Sequence, residues 1–130
     1  VIVTVLVALA FTGADNAALQ ARLGISVDVE LHDESAACLA EDCASADMVI
    51  RVDAQAFRHT VEPALQTADW ELIGFSDTVH GEVRIDMYAR VKRLSPTGHI
   101  ICADRLGATH SSRSEDVQLN VQFASCEITQ

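Results

Sequence analysis

The sequence predicts a small α/β (α+β) domain, a mixed sheet with a C-terminal antiparallel hairpin and short helices. Three observations carry this. Hydrophobic residues make up 49% of 130 residues, enough for one packed core and too many for a disordered chain. From Val83 to Lys92, apolar and polar residues alternate with the period of a strand. Short Ala-rich stretches with capping residues stand between the alternating segments. Aromatics are scarce, with one Trp, one Tyr and four Phe, so the core is expected to be mainly Val, Ile, Leu and Ala.

The chain opens with an apolar run, Val1 to Phe11, well short of the ~20 apolar residues a membrane-spanning helix needs. It reads either as the apolar part of a secretory signal, with its best cut after Ala21, or as a buried first strand rich in β-branched residues. Residues 1–21 are therefore a signal-like segment or a first core strand, and 22–130 a single globular domain. Asp15 and Asn16 can cap a short helix through Leu23, with Gly24 as its stop. Ile25, Val27, Val29 and Leu31 alternate with polar residues as in a half-buried strand. Glu34 to Ala44 is Ala-rich and expected to be helical. It is also the arbiter of the fold alternative: a loop there would favour an all-β sandwich after removal of a signal segment.

Met48 to Val52 reads as a strand. Phe57, Val61 and Leu65 recur every four residues, but Pro63 should interrupt a helix, so Ala54 to Asp69 is expected to be a loop with a helical turn. Trp70 to Phe75 reads as a strand. Val83, Ile85, Met87, Ala89 and Val91 are expected to face the core, with Arg84, Asp86, Tyr88, Arg90 and Lys92 on the exposed face. Ser95-Pro96-Thr97-Gly98 has the composition of a turn. His99 to Arg105 returns as the partner strand. Val117 to Phe123 alternates as a last strand before Cys126.

Net charge is −10. Seven carboxylates and no Lys or Arg lie between Asp28 and Asp47. A nucleic-acid binder needs a dense basic face, which Arg84, Arg90, Lys92 and Arg93 are too few to supply, so neither nucleic acid nor an anionic membrane surface is an expected partner. The four cysteines, Cys38, Cys43, Cys102 and Cys126, form no Cys-x-x-Cys pair and suggest disulfides rather than a zinc ribbon. Three pairings are possible; a Cys102–Cys126 bridge would staple the C-terminal sheet. Bridges imply an oxidising compartment, hence a periplasmic or extracellular protein. Four buried thiols in a cytosolic protein are the alternative.

Two motifs carry a resemblance. Cys38-Leu-Ala-Glu-Asp-Cys43 runs into Ser45-Ala46-Asp47-Met48-Val49-Ile50, and the long alternating strand Glu82 to Arg93 leads through Thr97-Gly98 into His99-Ile100-Ile101. Over about residues 36–110 this resembles a family of bacterial envelope domains: the TolB amino-terminal domain, CsgG-like proteins and the LpoB-like lipoprotein activators of penicillin-binding proteins. The resemblance implies an α/β domain of the cell envelope that binds other proteins and has no catalytic residues to transfer.

Candidate chemistry is sparse. His32, Asp33 and Glu34 could form a metal cluster only if a turn brings them together, because adjacent strand residues point to opposite faces. The acidic run lacks the Asp-rich loop of a calcium site. Ser111, Ser112 and Ser114 lie near His110 and Asp116 without a nucleophile elbow, and Gly107 to Glu115 reads as a surface loop. Arg84, Tyr88 and Arg90, expected on the exposed strand face, have the composition favoured at interfaces. The expectation is a non-enzymatic envelope accessory or adaptor protein. It needs no cofactor, contacts an unknown envelope protein and has no membrane insertion of the mature domain. A secreted module binding a small ligand or divalent metal is the alternative.

Overall fold

In the computed structural model, residues 16–34, 47–78 and 80–126 are described. The Val1–Phe11 run, most of the helix expected from Glu34 to Ala44, and Cys38 and Cys43 lie outside them. Six strands form one sheet: β1 (His32–Asp33), β2 (Met48–Asp53), β3 (Glu71–Asp77), β4 (Val83–Leu94), β5 (Ile100–Ser111) and β6 (Asp116–Cys126), in the order β1-β2-β6-β5-β4-β3. Every described pairing is antiparallel, so the sheet is not mixed. The protein is α+β and mostly sheet, with its helices against one face; this single sheet, rather than a sandwich of two, is what the described residues form.

The last strand is inserted between β2 and β5, which puts the most apolar segments at the centre. Ile50, Leu119 and Ala108 form one cross-strand row, and all three are fully buried. Met48, Val52, Val117, Val121, Leu106 and Tyr88 share that face. Against it pack Leu19 and Leu23 from helix α1 (residues 16–23) and Phe57, Val61 and Leu65 from the segment after β2.

Helix α1 ends as its sequence suggests. Gly24 adopts φ +76°, its N–H reaches the Ala21 carbonyl at 3.1 Å, and the Ile25 N–H reaches that of Gln20 at 2.9 Å. This double bond is the Schellman closure, for which a left-handed glycine is best suited.

Two further expectations need correction. Residues 25–31 keep the alternation of burial, with Ile25 and Leu31 buried and Ser26, Asp28 and Glu30 exposed, but they are not a strand. Their backbone is satisfied by side-chain amides instead. Gln20 accepts from the Val27 N–H (2.7 Å) and donates to the Val29 carbonyl (2.9 Å), while Asn16 accepts from the Leu31 N–H (2.9 Å). An extended chain needs partners for its polar groups; here α1 provides them.

The second correction is Ala54 to Thr67, which is helical throughout: α2 (Ala54–Ala56), a π-helical turn (Phe57–Val61) and α3 (Glu62–Thr67). Asp53 caps its start, accepting from the Ala56 N–H at 3.0 Å. The wide turn shifts the hydrogen-bond register, so Pro63 falls in the first turn of α3, where its missing N–H costs least. Phe57, Val61 and Leu65 thus keep the single buried stripe their spacing announced.

Candidate binding surface

β4 presents its faces the opposite way from the sequence expectation. The polar half of the alternation, expected to be exposed, points toward the helices, and the apolar half lies on the open face, where Met87 and Val91 are exposed and only Ala89 is buried as expected. Tyr88 is only 2% exposed, and its hydroxyl donates to Glu62 Oε2 at 2.6 Å. Arg90 donates through Nε to Asp104 Oδ2 (2.9 Å), through Nη1 to the Leu23 carbonyl (3.1 Å) and through Nη2 to the Arg22 carbonyl (3.0 Å). Its guanidinium also lies over the Trp70 ring, 4.6 Å from the centroid. Arg90 therefore closes the C-terminus of α1, whose last carbonyls lack helical partners and favour a cation. Gly24 permits the approach: a Cβ there would lie 3.1 Å from Arg90 Nη1. Trp70 Nε1 donates to the same Leu23 carbonyl at 2.9 Å.

Asp86 holds Arg84 at 2.8 Å, and Arg84 lies over the Phe75 ring, 4.2 Å from its centroid. The hydrogen bond to Asp86, the largest influence, raises the Arg84 pKa above its ordinary value. The three residues expected as an exposed contact face thus divide. Tyr88 and Arg90 serve the interior, and Arg84, half-exposed, belongs to an edge cluster with Phe75 and Asp86.

Burial, and secondarily the bond to Glu62, push the Tyr88 hydroxyl well above the ordinary tyrosine pKa. Below about pH 10 the hydroxyl is protonated both folded and unfolded. Above it, the unfolded chain releases the proton while the folded chain keeps it, so stability falls by about 1.4 kcal/mol per pH unit. Tyr88 is the sole tyrosine, so a near-ultraviolet absorbance titration reads this group alone. The native protein should show no phenolate through pH about 11, and Tyr88→Phe should abolish the alkaline slope in stability. An ordinary titration midpoint would mean that the hydroxyl is not enclosed.

His32, Asp33 and Glu34 do not converge. His32 and Asp33 pair opposite Arg51 and Ile50 in β1. His32 Nδ1 lies 3.9 Å from Glu30, and Glu34 bonds to Arg51, which also holds Asp116 at 2.9 Å. These two bonds, that to Glu34 first, raise the Arg51 pKa. Among the described residues no group of three His, Cys, Asp or Glu is arranged to hold a metal ion.

Gly107 to Ser111, expected in a loop, lie within β5. His110 turns to the covered face, edge-on to Phe57 at 5.6 Å and 3.1 Å from Asp86. Ser111, the next residue along β5, belongs to the opposite face. Cys102 and Cys126, paired across β5 and β6, form a disulfide.

The surface features that sequence reasoning missed lie at the β3 side. All the exposed large hydrophobics among the described residues belong to β3 and β4: Leu72 (52% exposed), Ile73 (48%), Phe75 (58%), Met87, Val91 and Leu94. β3 is a sheet edge, and Ile73 sits at a bulge between Leu72 and Gly74. Across the open face, one row runs Gly74, Met87, Gly107, Asn120, Val49. Gly107, lacking a side chain, leaves a trough of about 450 Å³ between Ile85, Met87 and Asn120. Met87 and Val91 of this surface belong to the apolar half of β4, whose hydrophobicity alone reads as core.

No family model matches the chain, and neither a curated protein nor a solved structure matches it.

Proposed function

We propose that this protein is a non-enzymatic accessory or adaptor domain of the bacterial cell envelope, acting through protein contacts at its β3–β4 edge. The observation that carries this is the concentration of exposed hydrophobics on one sheet edge. Large apolar side chains scattered singly on a surface need no explanation, whereas here Leu72 and Phe75 stand on the helix-side face of an edge strand, opposite Tyr88 and Asp86, with Met87 and Val91 on the open face beside it, and an exposed apolar edge strand is a natural pairing site.

Two further features support the reading. The Cys102–Cys126 disulfide suits an oxidising compartment such as the periplasm or the exterior. No described helix is long and apolar enough to cross a membrane. The resemblance to TolB, CsgG and LpoB-like domains points to the same role.

Processing after Ala21 would take away Asn16, Leu19 and Gln20, which hold the core and the 25–31 segment.

Site-specific photo-crosslinking tests the proposal. A photoreactive residue at position 75 should yield protein adducts in envelope preparations, whereas the same residue at the exposed position 118, on the open face away from the β3 edge, should yield few. Equal yields at the two positions, or none at 75, would remove the edge as the functional surface.

A further inference from the structure

The geometry points to one kind of occupant for the β3 edge: an extended segment with an apolar centre and Lys or Arg flanks, added to the sheet as a further strand. This inference rests on the edge being the functional surface and specifies its partner.

Four observations lead there. Among the described residues β3 is paired on one side only, to β4, and a strand edge of this kind offers backbone groups to an incoming strand. Its register with β4 is regular from Gly74 to Asp77, beyond the bulge, which leaves a short true ladder. Its centre is apolar and exposed, with Leu72, Ile73 and Phe75. Its ends are acidic: Glu71 and Asp77 terminate the strand and Asp69 precedes it, all three exposed. Of the nearby cations, Arg84 stands opposite Asp77 in the register but is hydrogen-bonded to Asp86, and Lys92 lies 3.4 Å from Asp104.

Charge also decides against a second copy. Pairing two β3 strands about a two-fold axis at Gly74 places Glu71 opposite Asp77 at both ends. Like charges directly opposite each other destabilise a strand pair. The net charge of −10 adds long-range repulsion between copies. A partner with basic flanks converts both end pairs from repulsive to attractive and gains in association rate from the same field.

The test uses the whole chain and three fluorescent peptides in an anisotropy titration. One has alternating Val and Thr between paired lysines, the second replaces the lysines with glutamates, and the third is the first with a central proline. The Lys-flanked peptide should bind about tenfold more tightly than the Glu-flanked one at low salt, with the advantage shrinking as salt rises. The proline peptide should lose binding, because proline has no N–H for the ladder. The double charge reversal E71K/D77K, at two exposed positions, should invert the preference; an unchanged melting temperature certifies its fold.

Equal binding of the Lys- and Glu-flanked peptides, or none of either, would overturn the charge assignment. Full binding of the proline peptide would overturn strand addition. Concentration-dependent self-association in sedimentation, lost in Ile73→Lys, would make a second copy the occupant and overturn the inference. Crosslinks at position 75 without peptide preference sink this inference alone; their absence sinks the edge reading as well.

Discussion

Replacing Arg90 with Met should destabilise the fold by about 3 kcal/mol, the low end of what breaking a buried ion pair costs. The variant keeps the side chain's apolar reach but takes the guanidinium away from Asp104, whose side chain is 4% exposed. It also removes the donors that close α1 at Arg22 and Leu23. Lys92 remains 3.4 Å from Asp104, yet it is half-exposed and compensates only in part, which is why the loss is not larger.

The double variant R90M/D104L should recover most of the loss, since it removes the buried carboxylate together with the guanidinium that faces it. A residual cost of about 1 kcal/mol should persist for the uncapped Arg22 carbonyl. Denaturant unfolding with an unchanged m-value measures both variants. If Arg90→Met alone shifts stability by less than about 0.5 kcal/mol, as surface substitutions do, the residue is not the keystone between α1 and β4.

The second large effect concerns Cys102 and Cys126. The bridge closes a loop with a sequence separation of 24 residues, and the chain-entropy account of such a crosslink assigns it about 3 kcal/mol. The variant C102A/C126A should lose that amount, with the β5–β6 end opening first. Amide exchange would show this as faster exchange near residues 102 and 126 than near Leu106 and Leu119, which lie in the packed middle of the sheet. Substitution separates this bridge from the other two cysteines, which a reductant would not. Unchanged stability would mean that the cross-strand register alone holds the two ends together. A loss of this size would also tie the stability of the fold to an oxidising compartment.

Much of the fold was legible in the sequence because local chemistry sets it. The Gly24 stop needs a residue tolerant of positive φ. The central β2 and β6 strands carry an alternation that buries one face only: Met48, Ile50, Val52 and Val117, Leu119, Val121. The four-residue spacing of Phe57, Val61 and Leu65 was likewise a correct statement about burial. Only the weight given to Pro63 was misplaced, since a π-helical turn before it was not visible from spacing. At 25–31 the burial pattern was right and the backbone partner wrong, because the period of two reports which side chains face inward. It does not report whether a strand or the amides of Asn16 and Gln20 take the hydrogen bonds.

The candidate surface was the least legible part, and β4 shows why. Alternation determines that two sets of side chains face opposite ways, but not which set faces the core. Hydrophobicity by itself chose Ile85, Met87 and Val91 for the interior. The tertiary structure chose Tyr88 and Arg90, because α1 ends above β4 with unsatisfied carbonyls and Glu62 stands above the Tyr88 hydroxyl. A long-range demand for hydrogen-bond donors therefore reversed the local preference. The sequence by itself determined an acidic α+β domain with a helix ending at Gly24 and a mainly aliphatic core, since these follow from composition and period. Only the tertiary structure decided that β6 lies between β2 and β5, that β3 is left at the edge, and that Met87 and Val91 of β4 are exposed beside it. Strand order and facing depend on contacts between residues far apart in the chain, which no local pattern encodes.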